Sequence, residues 1–402
     1  MFGFVAHVRA ASMLLLLAFV PIASSNEKPL KVYILVGQSN MQGHAQVRTL
    51  EHIGMDPKTA PMLDELLENG KPRTCKGIWI SSIGHDGKEN ERHGNLTADY
   101  GAAGRDPKIG PEYAFGIYMQ KSVDEPILII KTAWGGKSIS TDFRSPSAGP
   151  YEFNEQQLAN FEKQKKDIVA IKKQRAEATG HYYRLTIEHV RKVLSDIKRV
   201  YPDYSEEVGY ELAGLVWFQG WNDMVDRGTY PNRSEPGGYS DYSKALAHFI
   251  RDVRKDLDAP KLPFVIGVMG AGGPVSKYGP EQKRYAGVHS EFRKAMAAPA
   301  DLAEFTGNVF PVFTEKYWDG QLGELSQRWS KVNSERRRLQ QDKALTAVER
   351  KELLEAFTSK LYSPEERKTL EVGKSNAQYH YLGSAKVLCQ IGKAFAEALA
   401  TK

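Results

Sequence analysis

Six short runs of β-branched and aromatic residues are spread along the chain: Val32–Val36, Ile78–Ile80, Ile127–Ile130, Leu212–Phe218, Phe264–Val268 and Val309–Phe313. Most are apolar on consecutive positions instead of alternating ones. A strand with one wet face alternates; one buried on both faces does not, so these runs predict the interior strands of a parallel sheet. Such a sheet needs helices on both faces, and helical patterns lie between the runs. The clearest places Tyr183, Ile187, Val190, Leu194, Ile197 and Val200 at steps of three and four, with charged residues on the other faces and Pro202 as its expected end. The expected fold is a doubly wound α/β/α sandwich with a mostly parallel, flavodoxin-like sheet.

Two stretches stand outside that alternation. Residues 154–178 are rich in Lys, Gln and Glu, with Leu158, Phe161, Ile168 and Ile171 as their regular apolar positions. Residues 320–373 are charged and helical; Thr346–Glu349 and Ser363–Glu366 each pair a hydroxyl cap with a Glu three residues later, and Gly373 reads as a stop. Acidic and basic residues interleave in both, the signature of solvated helical insertions. The chain carries 55 Lys+Arg against 49 Asp+Glu over 402 residues, a net charge of +6 that leaves no footprint for nucleic acid. Two cysteines, Cys75 and Cys389, exclude a disulfide scaffold and a four-cysteine zinc site, although they could pair with each other in an oxidising compartment.

Residues 1–25 read as a cleavable signal peptide: Arg9, the apolar run Met13–Val20, then Ala23, Ser24 and Ser25 before the expected cut. The run is too short to span a bilayer comfortably and Pro21 breaks it. The mature chain, 26–402, is expected to be exported as one domain without stable membrane insertion; oligomeric state is left open.

Chemistry enters at the strand ends. Gly37-Gln38-Ser39-Asn40-Met41-Gln42-Gly43 follows the first strand directly. Ligands of open parallel sheets bind beyond the carboxyl ends of the strands, so Ser39 is the nucleophile candidate and its own amide an oxyanion donor. Trp134-Gly135-Gly136-Lys137-Ser138 follows the third run and offers further backbone donors at Gly135 and Gly136. Gln219-Gly220-Trp221-Asn222-Asp223 follows the fourth and offers side-chain amides. His380, in Tyr379-His380-Tyr381, precedes a last amphipathic helix over 384–399 and is the candidate general base. His189 reads as surface or edge of core, while His44, His85, His93 and His289 are placed near the cleft mouth. No pair of histidines has metal-ligand spacing, so no metal and no other cofactor is expected.

Gly37–Met41, Gly110-Pro111-Glu112, Trp134–Ser138 and Trp217-Phe218-Gln219-Gly220 together resemble the SGNH hydrolase superfamily, and within it the sialate O-acetylesterase / acetylxylan esterase branch, carbohydrate esterase family six. The likeness covers most of 30–318 and 374–400. It implies metal-independent removal of acetyl groups from acetylated carbohydrate, with Ser39 as nucleophile and His380 as base. Ser39, Gly135 and Gly136 match backbone oxyanion donors, and either Asn222 or Gln219 the side-chain donor. Gln38, Asn40, Met41 and Glu112 become supporting residues, and Trp134 and Trp221 candidates to stack on sugar rings. One departure stands out. The family commonly has Asp three residues before the histidine; that position is Ala377, between Asn376 and Gln378. A backbone carbonyl is the expected orienter of His380, with Glu315 or Asp223 as distant substitutes and weak activity as the remaining outcome. A sugar-binding protein on a weakened esterase fold, or a lipid or thioester hydrolase, are the alternatives.

Overall fold

The computed structural model describes residues 1–3 and 28–401, so all but the first three residues of the expected signal peptide lie outside the described residues. Seven strands form the main sheet: β1 (Leu30–Gly37), β2 (Cys75–Ile83), β3 (Arg92–Leu96), β4 (Ile127–Ala133), β5 (Tyr210–Phe218), β6 (Phe264–Val268) and β7 (Val309–Phe313). Their order is β7-β6-β5-β1-β4-β2-β3, and every pairing is parallel except β2 with β3. All six apolar runs are strands. The seventh, β3, has the polar sequence Arg-His-Gly-Asn-Leu and closes one edge, where a wet face is tolerated. Pro311 sits in β7 at the opposite edge, a position where a missing N–H costs no ladder bond in the interior.

Trp217 and Phe218 show how the layers are made. Adjacent strand residues point to opposite faces. Trp217 packs at 4.4 Å from Phe249 on helix α7 (Ser240–Asp256), and Phe218 at 5.3 Å from Phe395 on helix α12 (Ala385–Ala400). Helix α5 (His181–Ser195) shares the first layer through Tyr183 on Phe249; helix α2 (Glu112–Gln120) packs beside α12 and sends Phe115 against Tyr33 of β1. Both Trp217 and Phe218 are therefore core residues. Helix α5 stops at Ser195, before Pro202, because Asp196 leaves helical geometry (φ −149°, ψ 68°). Ile197 and Val200 still reach the core through a short 3-10 turn.

Both charged stretches are helical. Residues 154–178 form α3 (Glu155–Lys163) and α4 (Ile168–Ala178), neither with a buried residue. Residues 320–373 form α9 (Gly320–Gln341), α10 (Ala347–Leu361) and α11 (Pro364–Gly373). Both expected capping boxes are made, Thr346 with Glu349 and Ser363 with Glu366. Gly373 does not act as a left-handed stop. It is the last helical residue, and glycine is needed because a Cβ there would lie 2.9 Å from His52 Cδ2. The three helices bury a small core of their own, Leu322, Leu325, Val332, Tyr362 and Leu370, which also takes in Leu382 from beside His380.

His189 is a core residue, 5% exposed, with Nε2 2.9 Å from Ser81 Oγ. Cys75 and Cys389 are buried free thiols, not a disulfide. Among the described residues no helix is long and apolar enough to cross a membrane.

Candidate active site

The register of the central strands sets the site. Gly37 of β1 pairs with Ala133 of β4 on one side and with Phe218 of β5 on the other. The turns leaving those three residues, beginning Gln38-Ser39, Trp134-Gly135 and Gln219-Gly220, therefore emerge side by side where the chain direction of the winding reverses. Gly37 must be glycine for this convergence: a Cβ would sit 2.2 Å from the Phe218 carbonyl oxygen.

Gln38 ties the turns together. Its Oε1 accepts from the Gly220 amide (3.0 Å), Gln219 Nε2 (3.1 Å) and the Asn222 amide (3.4 Å), and its Nε2 donates to Asn222 Oδ1 at 3.0 Å. The same Nε2 lies 3.5 Å from Ser39 Oγ. Asn222 Nδ2 donates to the Gly136 carbonyl at 3.0 Å, which brings in the third turn. Ser39 opens the short helix α1 (Ser39–Gln42) and is 6% exposed. The Gly135 backbone runs alongside it; a Cβ on Gly135 would stand 4.0 Å from Ser39 Cβ. The Ser39 and Gly135 amides carry no hydrogen bond among the described residues, leaving two donors beside the hydroxyl.

Several expected roles change. Gln219 Nε2 is already shared among Gln38 Oε1, the Lys137 carbonyl (3.0 Å) and Asp223 Oδ2 (2.6 Å), so no proton is left for an oxyanion. Asp223 is buried and accepts from the Ile139 and Ser140 amides and Tyr230, and Glu315 pairs with Arg293; neither orients His380. Trp134 is 1% exposed, packed on Tyr182 with its indole N–H on the Lys88 carbonyl, and presents no face to a sugar. Met41 is core. Trp221 is half-buried and packs 5.4 Å from Tyr379, and both line a cavity of about 600 Å³ beside the site.

His380 reaches the strand ends from the far end of the chain. Asn40, next to Ser39, donates from Nδ2 to the carbonyl of Tyr379, next to His380, at 3.1 Å. The imidazole lies flat on His44, ring centroids 4.0 Å apart and planes 3° from parallel. His380 Nδ1 is 2.9 Å from Asn376 Oδ1. An amide oxygen only accepts, so Nδ1 carries the proton and Nε2 is the free base. The orienter is thus a side-chain amide four residues back, neither a backbone carbonyl nor a carboxylate. Ser39 Oγ and His380 are not hydrogen-bonded to each other, the looser state common in sites without substrate.

The loop carrying His380 is held under strain. Tyr381 (φ 50°) and Leu382 (φ 64°) are both left-handed, a conformation costing roughly 1–3 kcal/mol per residue outside glycine. Surrounding bonds over-determine it. The Ser375 and Asn376 amides both donate to the Leu382 carbonyl at 2.9 Å, and the Tyr381 hydroxyl accepts from the Gly270 amide at 2.7 Å.

Burial pushes the His380 imidazole down to about 4, helped by the charge of Lys108. His44 is pushed down to about 3 by burial and by His380 itself. Both are neutral at pH 7, as a general base must be.

Below the site, Glu112 and Lys131 form a fully buried ion pair at 2.8 Å. Lys131 Nζ also donates to the carbonyls of Gln42 (2.9 Å) and Tyr100 (2.8 Å), and Glu112 Oε1 accepts from the Gly110 amide. The pair clamps the end of α1. Lys131→Met should lower stability by about 3–5 kcal/mol, because it strands a buried carboxylate; adding Glu112→Gln should restore part of it. Thermal melting of the single and double variants checks this, and a single variant as stable as wild type would contradict it. Lys131 was hidden in sequence by its place inside an apolar strand.

A family model described as carbohydrate esterase, sialic acid-specific acetylesterase, matches residues 29–301. This chain belongs to that family. It is accordingly a carboxylic ester hydrolase and a carbohydrate acetylesterase. The matched region holds Ser39 and the three turns and stops before the second helical insertion and His380. Among solved structures, the esterase is similar to a protein from Arabidopsis thaliana (17% identity, 71% of this chain and 86% of that one, TM-score 0.38). It is also similar to a carbohydrate acetylesterase from Xanthomonas citri (14%, 70% and 49%, 0.35) and to NanS (11%, 71% and 77%, 0.35). A comparison with curated proteins gives no match. Among the described residues, no group of three or more His, Cys, Asp or Glu is placed to hold a metal ion.

Proposed function

We propose that the esterase removes O-acetyl groups from a carbohydrate through an acetyl-enzyme on Ser39, with His380 as general base and then acid. The Asn40–Tyr379 bond carries this reading, since it joins the neighbour of the hydroxyl to the neighbour of the imidazole. Ser39 Oγ attacks the acetyl carbonyl carbon while His380 Nε2 takes its proton. The carbonyl electrons move to oxygen, and the amides of Ser39 and Gly135 stabilise that oxyanion. Collapse breaks the bond to the sugar oxygen, which receives the proton from Nε2. Water, deprotonated by the same nitrogen, then attacks the acetyl carbon; collapse breaks its bond to Ser39 Oγ, which takes the proton back from Nε2, and acetate leaves. Asn376 holds the productive tautomer, and Trp221 and Tyr379 offer aromatic surface to the sugar.

The proposed setting is outside the cytoplasm, supported by Arg9, the apolar run and the small residues up to Ser25. The proposed organisation is a single esterase domain over 26–402, with the helices of 154–178 and 320–373 as insertions.

A serine-directed fluorophosphonate tests the chemistry. Wild type should take one covalent label, on the peptide containing Ser39, while Ser39→Ala takes none. A label on another serine would end the proposal.

A further inference from the structure

The mechanism leaves the second insertion, 320–373, without a task, yet its small core grips Leu382 beside the His380 loop. A cleft of about 620 Å³ opens there, between Trp329 of α9, the end of α11 and the chain from Lys374 to Ala377. Its charges are unbalanced. Arg367 is matched by Glu355 and Glu371. Arg48 is satisfied by neutral oxygens, Gln46 Oε1 and the carbonyls of Glu371 and Lys374, so its charge meets no carboxylate. Lys374 is half-buried with no hydrogen bond or ion pair from its ammonium among the described residues, and burial pushes its pKa down. An unmatched, half-buried ammonium lining the same cleft as Trp329 is costly unless something anionic arrives.

The cleft also shares a wall with the acetyl-transfer site. Asn376 and Ala377 line it, while the next two residues, Gln378 and Tyr379, line the 600 Å³ cavity that holds Trp221. His380 is bonded to Asn376 and packed on Tyr379, so the two cavities flank the loop that carries it.

We propose that the insertion builds a second saccharide subsite, in which Lys374, Arg48 and Trp329 take an acidic sugar unit of a polymeric chain whose acetylated unit lies over Ser39. The anionic group is a uronate carboxylate or a sulfate ester, since both offer oxygens to an ammonium. The esterase then acts on acetyl groups within a polyanionic chain. This rests on the esterase reading above.

The test compares kcat/KM on acetylated polygalacturonate, an acetylated sulfated galactan, acetylated xylan and p-nitrophenyl acetate, for wild type, Lys374→Gln and Lys374→Arg. Lys374→Gln should lower the ratio of acidic-polymer to p-nitrophenyl acetate turnover about tenfold, through KM, on whichever acidic polymer is the substrate class. Lys374→Arg should keep that ratio, and the xylan ratio should not move. The Lys374 ammonium makes no hydrogen bond or ion pair among the described residues, and its backbone bonds to Leu370 and Arg48 survive the substitution. An unchanged ratio on both acidic polymers, or an equal fall on xylan, would overturn the subsite. Ser39→Ala separates the two readings: full p-nitrophenyl acetate turnover in that variant removes the esterase site itself, whereas an inactive variant beside an unmoved Lys374→Gln ratio removes the subsite alone.

Discussion

Ser39→Ala should reduce kcat on p-nitrophenyl acetate by about four to six orders of magnitude, the span found when a nucleophile that acts as a unit with its base is removed. His380→Ala should cost a similar factor, and the double variant should be little worse than either single one. The reason is that the two side chains perform one step. Without the imidazole the hydroxyl remains protonated, and without the hydroxyl the imidazole has no proton to accept. What survives is stabilisation by the amides of Ser39 and Gly135, which neither substitution touches. Steady-state turnover of purified variants measures this. A Ser39→Ala rate within tenfold of wild type would place the chemistry elsewhere.

Asn376 should set the pH profile. In the wild-type protein His380 is held down to about 4 by burial, and its partner is a neutral amide that gives the imidazolium no counter-charge. A base is lost as pH falls through its own pKa, so the acid limb of kcat/KM should lie near pH 4, below the ~6.5 of an unperturbed histidine. Asn376→Asp puts a carboxylate at the same 2.9 Å position. A neighbouring negative charge favours the protonated ring and raises its pKa, so the acid limb should move upward by roughly 1–3 units. At pH 7 that variant should be at least as active as wild type, because a carboxylate also stabilises the imidazolium formed during the reaction. Asn376→Ala should lose roughly a hundredfold or more in kcat, since it frees the ring to turn and to take the wrong tautomer. An acid limb that stays in place in Asn376→Asp would show that this contact does not govern the base.

Position 377 explains why the site was only partly readable. An orienting Asp three residues before the histidine would have been recognisable by spacing, and Ala377 made the site look damaged. The replacement sits one residue earlier, at Asn376. Nothing in a linear spacing favours four over three. The choice depends on the backbone of His380–Gly383, which leaves helical geometry and passes through three left-handed residues. Gln219 failed for a related reason. As a side-chain amide after a strand it qualified as an oxyanion donor, but its protons were claimed by Asp223 four residues on and by Gln38 and the Lys137 carbonyl, both distant in sequence. Trp134 likewise qualified by position and was lost to burial.

From the sequence alone came six of the seven strands, five of them interior and Val309–Phe313 at an edge, the helical nature of both insertions with the two capping boxes of the second, and the hydroxyl at the first strand end. All rest on local physics: consecutive apolar residues must leave water on both faces, and a Ser or Thr three residues before a Glu satisfies orphan amides without help from elsewhere. Tertiary structure alone decided that the turns after β1, β4 and β5 stand side by side, that an amide orients His380, and that Lys131 and Glu112 pair beneath the site. Those depend on which distant groups are brought within 3 Å of one another and which are shut away from water. Donors and acceptors in a folded interior are assigned by competition among neighbours, and a sequence does not list its neighbours in space.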